Sequence, residues 1–196
     1  MSEKTYGYSS EIKESKQRAE LYHNYPFFRV FIYEFSTILH YLIGGIGLII
    51  GYTFLWLGYI IGLIYIIFAF LQMYILMPLT VCPNCVYYRM EDSCCVSGLN
   101  KVSTKLAKEG NPKDFPKRAE GLLCYNNIYM AALFFPIVAS VPALILNFSL
   151  FLLTSFLIIL GLLMFRFFVI FPKIACLHCH AKYTCPIGEK IGVRDK

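Results

Sequence analysis

The chain has 196 residues, of which 58% are hydrophobic and only 15% are charged, and its mean hydropathy is +0.59. Soluble globular domains are about 45–50% apolar and about 25% charged, so this composition excludes an ordinary water-soluble, disordered or collagen-like protein. The formal net charge of +6 lies outside two long blocks, because residues 35–88 and 121–165 contain no Asp, Glu, Lys or Arg.

The two uncharged blocks predict four transmembrane helices, because each is about twice the roughly 20 residues that cross a bilayer. Small and interfacial aromatic residues between Gly51 and Gly58 divide the first block, and a polar cluster between Asn147 and Ser155 divides the second. We therefore expect an all-α integral membrane protein made of two helical hairpins. Its predicted helices cover residues 34–54, 57–78, 128–147 and 151–171.

The eighteen Lys and Arg residues predict the orientation of these helices. They lie before the first helix, in the loop from Arg89 to Arg118, and from Arg166 to the C-terminus, whereas both hairpin turns have none. By the positive-inside rule, both termini and the central loop are expected on the cytoplasmic side of the cell membrane. The positive charge then indicates contact with anionic lipid, and no nucleic-acid partner is expected because no motif for one is visible.

These features divide the chain into four predicted parts. Residues 1–33 form a polar N-terminal segment, cytoplasmic or interfacial, with no evident signal peptide. Residues 99–126 form a basic linker, in which Leu99, Val102 and Leu106 recur at helical spacing. This linker helix is expected either to lie flat on the membrane or to cover the neighbouring cysteines as a solvated helix. The two remaining parts, 34–98 and 127–196, each contain one hairpin.

The two hairpin-containing parts predict an internal duplication. The spacing Gln72-(5)-Pro78-(3)-Cys82-(2)-Cys85 recurs as Arg166-(5)-Pro172-(3)-Cys176-(2)-Cys179, at a constant offset of 94 residues. A parallel repeat would bring both CxxC elements together around an axis normal to the membrane. In each copy the proline is expected to end the helix and release the chain at the membrane surface.

The eight cysteines all fall on the predicted cytoplasmic side, where thiols are kept reduced. Two residues between thiolates allow one turn to direct both sulfurs at one ion, so two CxxC elements predict a Cys₄ metal site. We expect Cys82, Cys85, Cys176 and Cys179 to be its ligands, and three further residues to complete the cluster or form a second site. These three are Cys94, Cys95 and Cys185.

The ligand set favours an iron–sulfur cluster over Zn(II) but accepts both. The paired CxxC elements are typical of zinc ribbons. The surplus cysteines favour iron–sulfur, and Cys185-Pro186 is similar to the Cys-Pro that ends bacterial ferredoxin cysteine runs. Five lysines are expected to offset the thiolate charge and to attract an acidic partner. They are Lys101, Lys105, Lys108, Lys173 and Lys182.

Two other interpretations of the cysteines remain open. Residues 176–180 read C-x-x-C-H, the attachment signature of a c-type haem, in which case His178 and His180 would be cofactor-binding candidates. Four-helix thiol oxidoreductases that use a membrane quinone resemble this chain in helix number and in having CxxC. The predicted topology opposes both, because haem attachment and that thiol chemistry take place outside the cytoplasm.

Few polar groups lie inside the predicted spans. Glu34 and Arg166 are expected either to form a salt bridge or to extend separately to the interface. His40 is interpreted as a packed, hydrogen-bonded side chain, since no second histidine lies in a span to complete a haem site. The pairs Gly47-xxx-Gly51 and Gly58-xxx-Gly62 predict close helix contacts.

Taken together, these patterns predict a membrane protein that holds a thiolate metal centre at the cytoplasmic face. We expect an electron-transfer or accessory subunit of a larger redox complex, contacted by a protein partner at the central loop, and no stand-alone enzyme. The alternative is a scaffold in which structural zinc locks the two halves together. No catalytic triad, phosphate-binding loop or metalloprotease motif is visible.

Overall fold

The structure, a computed structural model, describes residues 19–52, 56–120 and 124–193. These residues are helical and contain no β-strand, only an isolated bridge between Asn24 and Cys94. Four helices are long and apolar enough to cross a membrane, which confirms the predicted class: Phe27–Gly51, Gly58–Asn84, Tyr125–Leu146 and Leu150–Ala175. Part of the predicted first turn, residues 53–55, and most of the N-terminal segment lie outside the described residues.

Seven α-helices occur in the described residues: α1 (Phe27–Gly51), α2 (Leu57–Leu71), α3 (Val86–Arg89), α4 (Leu99–Leu106), α5 (Tyr125–Leu146), α6 (Leu150–Phe165) and α7 (Pro186–Lys190). Two π-helical segments extend α2 and α6, namely Gln72–Val81 and Arg166–Ala175. Short 3₁₀ turns complete the polar region, at Cys82–Asn84, Pro112–Asp114, Pro116–Ala119 and His180–Tyr183.

The first helix begins seven residues earlier than predicted. Pro26 precedes it with φ −55°, a value suited to starting a helix, and Phe27 and Phe28 at its first turn are largely exposed. The prediction used the end of the charged region as the boundary. Arg29 also lies within the helix, together with Glu34, so the boundary follows the proline rather than the charges.

The expectation that Pro78 and Pro172 end their helices is wrong. In both cases the chain continues through the proline in π-helical form, and only then reaches the first cysteine. The amide of Cys176 donates to the carbonyl of Phe171 at 2.8 Å, five residues back, and Cys82 bonds Met77 in the same way. Because π turns are wider than α turns, they accommodate a ring that would collide with the preceding turn of an α-helix.

Helix α1 packs closely against its neighbours through glycines. A Cβ at Gly62 would lie 2.8 Å from the carbonyl oxygen of Gly45, and one at Gly51 would lie 2.8 Å from the Cβ of Ala143. A Cβ at Gly44 would also lie 2.8 Å from the Cβ of Pro136. The predicted close contacts are therefore confirmed for Gly51 and Gly62, and α1 contacts both α2 and α5 with little separation between the helix backbones.

The linker helix α4 rests on the π-helical end of α2. Ser103 donates a hydrogen bond to the carbonyl of Pro78 at 2.6 Å, and Leu99 is buried on the same face. Val102 and Leu106 are exposed on the other side. The predicted helix is therefore present, but its predicted apolar face is wrong: the buried residues are Leu99, Asn100 and Ser103, and Val102 and Leu106 are exposed like the lysines. The contact with Pro78 brings this helix to the end of the second span.

A candidate metal centre lined by six cysteines

The two CxxC elements have matching backbone geometry. The amide of Cys85 donates to the carbonyl of Cys82 at 3.0 Å, and the amide of Cys179 donates to that of Cys176 at 3.3 Å. In each turn the second cysteine is extended, with ψ 149° at Cys85 and 128° at Cys179, so the helical path is interrupted at that residue. Each cysteine turn follows directly from the end of a long, rigid helix.

Both turns open onto one cavity of about 180 Å³. All eight cysteines lie in the described residues and are free, and six of them line this cavity: Cys82, Cys85, Cys95, Cys176, Cys179 and Cys185. Most of the remaining wall is apolar, with Met77, Phe115 and Phe171 among its side chains. The structure thus brings the four predicted CxxC cysteines and two of the three additional ones to the same space.

The adjacent residues Cys94 and Cys95 have different surroundings. The backbone of Cys94 pairs with that of residues 23–25, and its sulfur lies 3.6 Å from the carbonyl of Cys95, away from the cavity wall. Cys95 lines the cavity, and Asn100 holds its amide at 3.1 Å. Cys124 is buried elsewhere. Among the predicted ligands, Cys94 is therefore the one that the cavity wall leaves out.

The thiols are not gathered tightly around a single point. In the part of the chain that the structure describes, no group of three or more His, Cys, Asp or Glu side chains is close enough to hold one metal ion. Burial raises the pKa of Cys85 to about 11 and that of Cys176 to about 12, and raises that of Cys179 as well. Without a metal these groups are protonated thiols at neutral pH.

Arg118 is the cation at this site, and sequence reasoning missed it. It lines the cavity, its guanidinium lies 5.0 Å from the ring centre of Phe115, and its charge opposes the rise in pKa of Cys85 and Cys176. Of the five lysines expected in this role, four are exposed, and Lys182 is buried with its ammonium 3.4 Å from the carbonyl of Leu177. In the sequence, Arg118 is marked only by its place in the basic central loop, two residues after Pro116.

The two histidines of the C-x-x-C-H motif contact other side chains. His178 donates from Nδ1 to the carbonyl of Glu20 at 2.7 Å and stacks on Tyr22, with ring centres 4.4 Å apart. The ring of His180 packs edge-on against Tyr87, at 5.8 Å. Neither is among the residues that line the cavity.

Residues 22–25, named the N-terminal clasp here, join the two halves of the site. The amide of Tyr22 donates to the carbonyl of His178 at 3.0 Å, and the amide of Tyr25 donates to that of Cys94 at 2.9 Å. The hydroxyl of Tyr25 reaches the carbonyl of Ala175 at 2.5 Å, at the end of the second π-helical segment. The sequence predicts only a polar tail in this segment, without a role in the site.

Replacing Tyr25 with phenylalanine is expected to loosen the clasp. The change removes one buried hydrogen bond, which is worth about 1 kcal/mol, or about fivefold in the opening equilibrium. Hydrogen exchange of the Tyr22 and Tyr25 amides should therefore accelerate by that factor. The matched change at the exposed Tyr183 should leave both amides unaffected, and equal exchange in the two variants would contradict the role given to the hydroxyl.

Arg166 and Glu34 do not form the salt bridge that was considered. Arg166 is buried and donates to Thr37 at 2.6 Å, to Ser36 at 3.2 Å and to the hydroxyl of Tyr129. Glu34 accepts from the hydroxyl of Tyr74. Extension of Arg166 to the interface is equally excluded by its burial, because its charge is solvated by hydroxyl groups inside the bundle.

The interpretation of His40 as packed is confirmed. It is buried, and its Nε2 donates to the carbonyl of Leu133 at 3.0 Å.

Comparison of the chain with protein-family models, with curated proteins and with solved structures finds no match in any of the three. The function therefore has to be argued from the site itself.

Proposed function

We propose that this protein binds an iron–sulfur cluster through its cysteines at the cytoplasmic membrane face, and serves a larger redox complex as an electron-transfer or accessory subunit. The observation that carries the proposal is the single apolar cavity lined by six cysteines from both halves of the chain. Cysteines that serve only for packing have no reason to converge on one open space. When bound, such a cluster supplies one-electron transfer.

The size of the cavity supports a cluster over a lone zinc ion. A cavity that holds one water molecule needs a volume of about 10–15 Å³. A metal ion is no larger than a water molecule, so the cavity volume of about 180 Å³ is far more than one ion occupies. Four thiolates around one zinc ion must each approach to about 2.3 Å, whereas the cysteines of a cluster bind different iron atoms and stand further apart.

The raised thiol pKa values argue against a thiol–disulfide exchanger. Exchange needs an exposed thiolate, and reactive cysteines have lowered pKa values near positive charge. Cys85 and Cys176 have pKa values raised to about 11 and about 12 by burial. Their protons leave only when a metal replaces them, so metal affinity rises with pH across the physiological range.

The proposal includes the internal duplication, which further matched features support. The two π-helical segments begin and end 94 residues apart, and so do the helical turns Val86–Arg89 and His180–Tyr183. Gly98 and Gly192, also 94 residues apart, have the left-handed φ values 64° and 69°. Two halves related in this way would supply similar ligands from opposite sides.

The residues of the chain have separate tasks in this mechanism. The apolar wall, including Met77 and Phe115, keeps water from the thiolates and lowers the local dielectric. Arg118 offsets part of the negative charge of the ligated centre. The cytoplasmic orientation rests on the distribution of Lys and Arg and on the reducing conditions that free thiols need.

Metal analysis and visible absorption of protein purified without oxygen test this function. A brown, dithionite-bleached chromophore with iron and sulfide is the expected result. Colourless protein with stoichiometric zinc would replace the proposal by the zinc scaffold, and a covalent haem spectrum would overturn both the cofactor and the orientation. Metal-free protein with eight titratable thiols would reject a metal centre altogether.

Replacing Arg118 with glutamine is expected to lower the affinity for iron by about five- to thirtyfold. One positive charge near the thiolates contributes about 1–2 kcal/mol when the effective dielectric is intermediate. The measurement is iron retention against a chelator, monitored by the visible absorption. Lys117→Gln is the control, since Lys117 is exposed and pairs with Asp114 at 2.6 Å; equal loss in both variants would contradict a specific role for Arg118.

A further inference from the structure

A layer of buried polar side chains crosses the helix bundle next to the cysteine cavity. Arg166 bonds Ser36 and Thr37 of α1, and Tyr74 bonds Glu34 of the same helix. The hydrogen bond between Tyr74 and Glu34 joins α1 to the π-helical extension of α2, which runs antiparallel to it. Gln72 precedes Tyr74 by two residues and Ser36 follows Glu34 by two residues, so Gln72 and Ser36 lie at the same depth in the bundle. We name these groups the polar layer: Tyr33, Glu34, Ser36, Thr37, Gln72, Tyr74, Tyr129 and Arg166.

The polar layer contains one cation and unsatisfied polar atoms. In the described residues no carboxylate is within ion-pair distance of Arg166, although it is only 1% exposed. Gln72 is 0% exposed, and neither atom of its amide group has a partner; Oε1 of Glu34 is also buried without one. Unpaired polar atoms in hydrocarbon are costly, and intramembrane ionisable groups generally mark a functional path.

The polar layer touches the wall of the cysteine cavity directly. The guanidinium of Arg166 lies 5.3 Å from the ring centre of Tyr33 and 6.0 Å from those of Tyr129 and Phe171. All three rings line the cavity. One aromatic layer therefore separates the buried cation from the space that the thiols surround, and charge in the cavity acts on the polar layer through a medium of low dielectric.

We propose that Glu34 is a proton-binding site that takes up a proton when the centre in the cavity gains an electron. This inference rests on the proposed function. With a one-electron donor such as dithionite as the reductant, the centre would gain one electron and the carboxylate of Glu34 would bind one proton from solution; on reoxidation by an oxidised one-electron mediator, both would leave. The unpartnered Oε1 is the atom that receives the proton, because Oε2 already accepts from Tyr74.

The charged and titratable groups around Glu34 explain this coupling. Arg166 is the buried cation of the polar layer, the hydroxyl of Tyr74 donates to Glu34, and Tyr33 and Tyr129 lie against the guanidinium of Arg166. Arg29 lies on the same helix towards the clasp, where its guanidinium stacks on Tyr22. An added negative charge in the cavity offsets the charge of Arg166, so Glu34 loses much of its electrostatic stabilisation and binds a proton.

The test is the reduction potential of the chromophore in the full-length protein, measured between pH 5 and 9. In the wild type the potential should fall with rising pH by up to about 59 mV per unit, the value for one proton per electron. Glu34→Gln should abolish the slope. Infrared difference spectra on reduction should show a carboxylic acid band that Glu34→Gln removes, a readout that is independent of activity.

Glu109→Gln is the control, because Glu109 forms a surface ion pair with Arg89 at 2.5 Å, and it should keep the wild-type slope. Tyr74→Phe removes the hydrogen bond to Glu34 but retains the carboxyl group of Glu34. It should keep the slope of potential against pH and shift the pH range over which that slope occurs, and it replaces Glu34→Gln as the test variant if Glu34→Gln fails to fold. A flat wild-type potential, or a slope unchanged in Glu34→Gln, would overturn the inference while leaving the cluster in place. Absence of any chromophore would instead reject the proposed function, and this inference with it.

Discussion

Replacing Cys179 with serine is expected to lower metal retention at least about 100-fold. Cys179 lines the cavity and belongs to the second CxxC turn, and loss of a ligand costs more than the 10–100-fold loss typical of residues that merely orient ligands. Because metal binding and folding are coupled, resistance to unfolding should fall together with the metal content. Iron per chain, chromophore absorbance and denaturation in detergent are the measurements.

Two cysteines outside the cavity wall provide matched controls for this result. Cys94→Ser and Cys124→Ser alter thiols that do not line the cavity, so both variants should retain their metal. Cys85→Ser, the counterpart of Cys179 in the first half, should lose it. If Cys94→Ser loses metal and Cys95→Ser keeps it, the assignment of the third ligand in the first half is wrong.

Replacing Gly62 with leucine is expected to destabilise the helix bundle by about 3 kcal/mol. A Cβ at this position would lie 2.8 Å from the backbone carbonyl of Gly45 and 3.1 Å from the backbone amide of Ile49. Backbone atoms cannot turn aside as a side chain can, so α1 and α2 would have to separate along their contact. Unfolding of the purified protein in mixed micelles measures the loss.

Gly161→Leu is the corresponding control on α6. A Cβ there would meet no atom within 4 Å, and the residue is exposed on the outside of the bundle. This variant should match the wild type or gain up to about 0.8 kcal/mol from the better helix propensity of leucine. Equal destabilisation of both variants would show that bulk alone, rather than the contact with Gly45, determines the result.

The four spans were predictable because uncharged length is a strong signal in a membrane protein. Residues 35–88 and 121–165 leave few other arrangements for the backbone than paired helices. The precise helix ends were not predictable from charge. Arg29 lies inside the first helix because its long side chain reaches out to stack on Tyr22, so a charged residue did not mark a boundary.

The rule that a proline ends a helix failed at Pro78 and Pro172. Each proline would interrupt an α-helix, but in each half the helix continues through the proline as a π-helical segment. The residues around these prolines show no pattern that distinguishes a π-helical continuation from a helix end. The segments have a consequence for the site, since each carries the chain without a loop from the bundle to its first cysteine.

The candidate site was predictable in its ligand types and not in its geometry. The CxxC spacing identified both turns, since it operates over four residues. The different surroundings of Cys94 and Cys95 depend on backbone pairing with the clasp, and the position of Arg118 depends on the packing of Phe115. Those contacts join residues far apart in the chain, and no local pattern encodes them.

The N-terminal clasp also constrains when the site can be completed during synthesis. Tyr22 leaves the ribosome early, but its partner His178 is made about 8–30 s later at ordinary translation rates of about 5–20 residues per second. Until then one side of the cavity has no wall. If the proposed cluster binds here, its iron and sulfide would have to reach the chain after the second half is made, because a chain stalled before that half would lack Cys176, Cys179 and Cys185.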